Sequence, residues 1–296
     1  MTAQPAKTGP EGIIVIDKPV GPTSFDIVAK LRKSLKTREI GHCGTLDPLA
    51  SGVVVVTVGR YCKLVRFLTA DDKRYEARIT FGFSTPSFDL ETEADVHGDV
   101  GVVDAAKIEA ALSSWHGVVA QVPPAHSAIQ QGGERAYDKA RRGEDVVMAP
   151  RDVVVHGLKL LSWQAPHAVV EVDVGKGFFV RSLARDLGVA VGCPAHLSAL
   201  RRTSSGLYGL DVAVPLDDAR DPDTAPTLLR TGPQAVKGMT QIVVDEDQTK
   251  ALRHGLKPKT SHGDCFEVLA TCNDAIVGVV SVVDGALVTV RGFHTA

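Results

Sequence analysis

Hydrophobic and polar positions along this chain follow two periods that alternate irregularly. Behind Thr23 and Ser24, either of which can cap a helix, Phe25, Ile27, Val28, Leu31 and Leu35 recur near a helical period, predicting a helix there. Ile13 to Asp17 reads as a strand, and the run Val53-Val54-Val55-Val56-Thr57-Val58 is β-branched enough to predict a buried one. Further strands are expected at 52 to 58, 73 to 83, 153 to 162 and 168 to 175, with helices near 60 to 69, 104 to 115 and 180 to 191. Tyr75 to Phe81 and Val169 to Val174 alternate apolar with polar, as strands of a half-covered sheet do. No clean βαβ repeat emerges. The pattern therefore predicts an α+β fold around a central, largely antiparallel mixed sheet flanked by helices and loops.

A shift toward turn-forming and acidic residues over 215 to 226 marks a boundary. Past it, 241 to 244, 266 to 271, 276 to 283 and 287 to 290 read as four strands of a small β-rich domain. The predicted organisation is a loose polar tail over 1–11, a main domain over 12–236 and the small domain over 237–296. Residues 121–150, with Pro123-Pro124 and Gly132-Gly133, read as an arm inserted into the main domain.

Composition narrows the class. With 296 residues, 44% of them hydrophobic, there is material for one large and one small core. A net charge of −2 excludes a globally basic surface, so any nucleic-acid binding must use a local positive face. The five cysteines, at 43, 62, 193, 265 and 272, form no CxxC pair and are odd in number, which argues for a reducing compartment and against structural zinc. The N-terminus has no apolar signal core, and no run approaches the length of a membrane span. A cytoplasmic protein is expected.

The chemistry concentrates in Gly41-His42-Cys43-Gly44-Thr45-Leu46-Asp47-Pro48-Leu49-Ala50-Ser51-Gly52. Three glycines, a proline and a serine suit a shaped loop, and the strand behind it anchors that loop on core. Asp47 is a lone carboxylate within it. Taken by itself, it reads either as a local Asp-Pro turn or as a functional acid.

The same stretch resembles the catalytic motif of the TruB family, the bacterial tRNA pseudouridine synthases acting at position 55 of the T-arm loop. Gly12-Ile13-Ile14-Val15-Ile16-Asp17-Lys18-Pro19-Val20-Gly21-Pro22-Thr23-Ser24 is similar to the family's opening strand and turn. Lys73-Arg74-Tyr75-Glu76-Ala77 and Lys176-Gly177-Phe178-Phe179-Val180-Arg181-Ser182-Leu183-Ala184-Arg185-Asp186-Leu187-Gly188 look like its next two motifs. These motifs, in order, span 12 to 202, and the C-terminal part resembles the family's small PUA-type RNA-binding domain more loosely.

The resemblance implies a pseudouridine synthase fold, a tRNA T-arm stem-loop as substrate, and no cofactor or metal. It also implies a monomer with no obligate protein partner and no membrane. Asp47 becomes the nucleophile, Arg181 the cation that keeps its carboxylate ionised, and Tyr75 the aromatic that stacks on the flipped uracil. His42 would hold the altered RNA loop, Leu200 line the base pocket, Phe179 pack or stack, and Lys18 support the nucleophile loop or meet phosphate. Arg135, Lys139 and Arg142, expected on one helical face of the arm, are candidate RNA contacts. The match is imperfect at Ser84-Thr85-Pro86-Ser87-Phe88-Asp89-Leu90-Glu91, where relatives have a more polar Thr-Asp-rich turn: Thr85 and Asp89 remain, and Pro86 and Phe88 depart from it. Whether Asp47 attacks C1′ of the sugar or C6 of the base, or whether a glycal forms, stays open at this point.

Two other classes compete. A tRNA-binding protein without catalysis would share the RNA features. A carboxylate-nucleophile hydrolase would need a second acid near Asp47, which no motif supplies.

Overall fold

The computed structural model describes residues 9–127 and 129–293. They divide into two compact units. One runs up to Asp47, takes in Val53–Thr69 and resumes at Gly206; the other is Pro48–Gly52 with Ala70–Ser205.

In the first unit, strand Gly12–Lys18 pairs parallel with Val214–Pro215, and Ile40–His42 pairs antiparallel with the end of strand Ala50–Val58, His42 opposite Val56. Helix Ser24–Ser34 starts at a capping box, in which Thr23 and Asp26 satisfy each other's backbone N–H groups. Its apolar stripe, Ile27, Val28 and Leu31, is buried as the periodicity predicts. The helix predicted near 60 to 69 is a 3₁₀ stretch, Gly59–Leu64, followed by a short α-helix, Val65–Thr69.

The four C-terminal strands form one sheet in chain order, Gln241–Val243, Cys265–Cys272, Ala275–Val283 and Ala286–Gly292, parallel in the first pairing and antiparallel in the others. Leu269, Val279 and Phe293 pack in one core with Ile13, Val15, Val55, Tyr61 and Leu64. The C-terminal module thus closes over the chain's opening strands. Inside it, helix Glu246–Arg253 arises from a segment of low mean hydropathy, nucleated by an Asp245–Gln248 capping box and burying little beyond Thr249 and Leu252. Hydrophobic periodicity could not reveal it.

The second unit is built on a sheet that begins at Ala50–Gly52 and continues through Ala195–Ser205, Lys73–Phe81, His167–Val174, Arg151–Gln164 and Gly117–Gln121. Its first pairing is parallel and the others are antiparallel. Helix Val180–Val191 packs on strand Ala195–Ser205, and helix Ala105–Ser113 packs on strand Arg151–Gln164. Strand Ala195–Ser205 is interior to the sheet but reads Ala-His-Leu-Ser-Ala-Leu-Arg-Arg-Thr-Ser-Ser, too polar for pattern alone to find. In the arm, Gln130–Gln131 pairs with Glu134–Arg135, and helix Ala136–Arg141 follows.

Candidate active site

Asp47 is half-buried in a loop whose shape is held by buried groups. Lys18, at the end of the opening strand, has no exposed surface; its Nζ donates to the carbonyls of Pro19 at 3.0 Å and Pro22 at 2.8 Å, bracing the turn before Thr23. The turn delivers Ser24, also buried. Ser24 Oγ accepts from Leu46 N at 2.9 Å and donates toward Leu46 O at 3.3 Å, so one hydroxyl grips both sides of the residue before Asp47. Cys43 N donates to Val55 O at 2.8 Å and pins the loop's other end. Gly44, at φ 111°, occupies backbone space that side chains rarely enter. His42 sits half-buried in strand Ile40–His42. Lys18, His42 and Asp47 therefore belong to the first unit.

In the second unit, register places Leu200 opposite Ala77 on one side and Ala50 on the other, and places Arg202 opposite Tyr75. Residues directly opposite in antiparallel strands share a face, so Tyr75, Ala77, Leu200 and Arg202 point to the same side of the sheet. Tyr75 and Leu200 are buried, and Arg202, at 1% exposure, is among the largest fully buried side chains. Gly52 makes the parallel pairing possible: a Cβ there would lie 2.2 Å from the Arg202 carbonyl oxygen.

Arg181 is buried in the first turn of helix Val180–Val191. Its guanidinium donates to Ser87 O at 3.3 Å and lies 3.6 Å from Asp89 Oδ2. Asp89 is buried too; its Oδ1 accepts from Ser87 Oγ at 2.6 Å and from Glu91 N at 2.9 Å. The 84–91 turn thus supplies a carboxylate partner of Arg181, through one of the two residues in which it keeps the family pattern. Within it, Phe88 adopts φ 60°, and its carbonyl accepts from Leu197 N at 2.9 Å. Phe179 is the N-cap residue of the same helix and is half-buried. Gln121 clamps its backbone, accepting from Phe179 N at 2.8 Å and donating to Phe179 O at 3.1 Å. Asp89 is, with Thr85, what remains of the family's Thr-Asp-rich turn, whereas Gln121 carries no motif signal, since it acts through a partner far away in sequence.

The arm departs from expectation. Arg135 lies in a two-residue strand and its side chain is outside the described residues, Lys139 is in the helix, and Arg142 follows the helix end. The three share no helical face, because the helix begins only at Ala136. Arg142 pairs with Glu134 and Glu144, whereas Arg141 bridges to Glu91 at 2.8 Å.

Comparison with known proteins follows the same lines. A family model described as "TruB family pseudouridylate synthase (N terminal domain)" matches residues 32–180, and one described as "tRNA pseudouridylate synthase B C-terminal domain" matches 181–230. The chain is 39% identical over 285 residues to the tRNA pseudouridine synthase B of Gloeobacter violaceus, covering 94% of this chain and 97% of that protein. It is 41% identical over 248 residues to that of Cutibacterium acnes, covering 82% and 84%. The fold resembles a chain in the structure titled "Crystal Structure of a Cbf5-Nop10-Gar1 Complex", at TM-score 0.74 and 24% identity, over 96% of this chain and 85% of that one.

Proposed function

This chain belongs to the TruB family of pseudouridylate synthases, and from that premise we propose that Asp47 is the nucleophile with which it converts the uridine at position 55 of the tRNA T-arm loop into pseudouridine. As a tRNA pseudouridine synthase it is an isomerase: the C1′–N1 bond breaks, the uracil turns within the site, C5 bonds to C1′, and the C5 hydrogen leaves to solvent while N1 gains a proton. No atom is added overall, so the chemistry requires neither redox partner nor external energy.

The observation that carries the assignment is the buried Ser24 grip on Leu46, which holds the peptide next to a half-buried carboxylate. A nucleophile gains from such pre-positioning because fixed geometry replaces entropy otherwise lost in the transition state. Arg181, itself fixed by Ser87 and Asp89, serves as the cation for the reacting carboxylate. Tyr75 stacks on the flipped uracil, Leu200 lines the base pocket, and Phe179 packs against the substrate. His42 holds the RNA loop vacated by the flipped base, and Lys18 supports the nucleophile loop through the Pro19–Pro22 turn. Arg135, Lys139 and Arg142 meet RNA phosphates from the arm. In its functional division, residues 237–296 act as the PUA-like RNA-binding part and 12–236 as the catalytic part. The protein works in the cytoplasm as a monomer, without metal or cofactor. Among the described residues no helix is long and apolar enough to cross a membrane.

The test is a T-arm stem-loop RNA tritiated at C5 of its uridines. The expected result is release of one equivalent of tritium per RNA, lost when the position-55 uridine is replaced by cytidine. Asp47→Asn should abolish release while RNA still binds. Turnover by purified Asp47→Asn at the wild-type rate would remove Asp47 from the role.

A further inference from the structure

We propose that the outer face of helix Ser24–Ser34 and the turn after it form a second RNA-binding surface, one that takes the phosphate backbone outside the reacting loop. Residues 30–38 contain Lys30, Arg32, Lys33, Lys36 and Arg38 and no carboxylate, in a chain whose net charge is −2. Arg32, Lys33, Lys36 and Arg38, with Ala29 and Thr37, line a shallow open depression of about 740 Å³. Among the described residues none of the five cations makes an ion pair, whereas Arg60, Arg66, Arg74, Arg141, Arg142 and Arg220 all do. The neighbouring carboxylates are few. Glu39 is exposed at the turn's end, Asp26 is engaged by Thr23, and helix Leu216–Arg220, which packs on this helix, brings Asp218 and an Asp217 already paired with Arg220.

The placement favours a nucleic acid over a small anion. Phe25, Ala29 and Arg32 are spaced to share one helical face, and Lys36 follows just past the helix end. Phe25 is 64% exposed, and the Arg32 guanidinium lies 6.0 Å from its ring centroid. An exposed aromatic leading into a row of cations offers a stacking surface and a phosphate track on one face. The face starts beside Ser24, whose hydroxyl holds Leu46 in the nucleophile loop. Ten residues of helix then carry it about 15 Å along the axis. At the roughly 2.8 Å rise per base pair of an A-form RNA helix that is about five steps of duplex, too far for the flipped nucleotide and suited to the stem that flanks it.

Lys36 supplies an independent sign. It sits at φ 50°, one residue beyond the C-cap Leu35, where helices favour glycine because a side chain there is strained. Cations near a helix C-terminus do complement its dipole, which would account for Arg32 and Lys33 without any ligand. That account gains little from a lysine in a strained conformation. Retaining the ammonium at that conformational cost points to a use for the charge.

This inference rests on the proposed tRNA substrate, and its test separates the two. Wild-type turnover of unmodified tRNA judges the function by itself. The second surface is judged by equilibrium binding of the same tRNA in an Asp47→Asn background, which avoids turnover. Lys36→Gly should leave Tm unchanged or raised, weaken tRNA binding about three- to tenfold at roughly 0.1 M salt, and lower the slope of log Kd against log salt by about one. Adding Arg38→Ala should deepen both effects, and Lys36→Arg should restore binding. In the wild-type background these changes should raise KM and spare kcat. Unchanged affinity and salt slope in the double variant would overturn the proposal. So would a Lys36→Gly loss of binding that comes with a lowered Tm, because that would mark the lysine as part of the helix end.

Discussion

The nucleophile loop and the inserted arm are both irregular segments held by backbone bonds, yet their side chains are held by different means. Loop residues 43–47 are fixed by buried backbone bonds, from Cys43 N to Val55 O and from Leu46 to a buried serine hydroxyl. In the arm, helix Ala136–Arg141 is anchored at its start by Ala136 N donating to Ile129 O at 2.8 Å and Tyr137 N to Ser127 O at 2.9 Å, and its side chains add exposed contacts: Arg141 to Glu91, Tyr137 Oη to Glu91 at 3.1 Å, and the Arg141 guanidinium 4.2 Å from the Tyr137 ring. Buried hydrogen bonds fix geometry because breaking one leaves an unsatisfied polar group, whereas exposed ion pairs are screened by water and salt. A reacting carboxylate gains from the first arrangement. A surface that must exchange its own ion pairs for RNA phosphates gains from the second.

Four variants or conditions would sharpen or break this contrast. Gly52→Ala has the largest expected effect: the added Cβ meets the Arg202 backbone, so strand pairing behind the loop should fail at a cost of about 3 kcal/mol or more, read as a large fall in Tm. An unchanged Tm would show that the pairing tolerates far more movement than a pinned site allows. Ser24→Ala comes next. Losing the hydroxyl leaves Leu46 N without its partner and should cost about 1–2 kcal/mol of stability and about tenfold in kcat with KM little changed. A change confined to KM would contradict a positioning role.

The third is a pH effect. Burial holds the His196 imidazole below its usual range, its Nδ1 lying 3.0 Å from Phe83 O and its ring stacked on Phe83 at 4.1 Å. Between the lowered folded pKa and the unfolded value near 6.5, the unfolded chain binds the extra proton. Stability should therefore be full above about pH 6.5 and decline as pH falls below it, and His196→Gln should flatten that slope in denaturant titrations. Glu134 in the arm should add nothing to that slope, because hydrogen bonding from Arg142 holds its carboxyl below its ordinary value. The smallest effect belongs to the arm. Glu91→Gln should leave Tm unchanged and alter RNA affinity by less than about threefold, most visibly at low salt. A large loss of stability there would erase the distinction between the two regions.

Much of the fold was legible where local pattern and burial coincide. Ile27, Val28 and Leu31 announce their helix, and the alternation from Tyr75 to Phe81 matches a strand whose alternate side chains are covered. Strand Ala195–Ser205 was not legible, because it lies inside a sheet while carrying Arg201, Arg202, Thr203 and Ser204. Helix Glu246–Arg253 escaped for a related reason: it relies on a capping box more than on an apolar face. At the candidate site, the 41–52 loop stood out by residue type alone. Asp89 was visible as a retained turn residue, but its pairing with Arg181 and the Gln121 clamp on Phe179 were not, since the members of each pair are dozens of residues apart.

By itself, the sequence determined the α+β class, the family and the loop that carries Asp47, because turn chemistry, hydrophobic period and ordered motifs are properties of neighbouring residues. Only the tertiary structure decided that Arg202 lies buried opposite Tyr75, that Gly52 is required by the Arg202 backbone, and that Ser24 grips Leu46. Those relations depend on strand register and on contacts between segments far apart in the chain. Many registers fit the same local pattern, and the one that pairs the buried backbone groups emerges only when the whole chain packs.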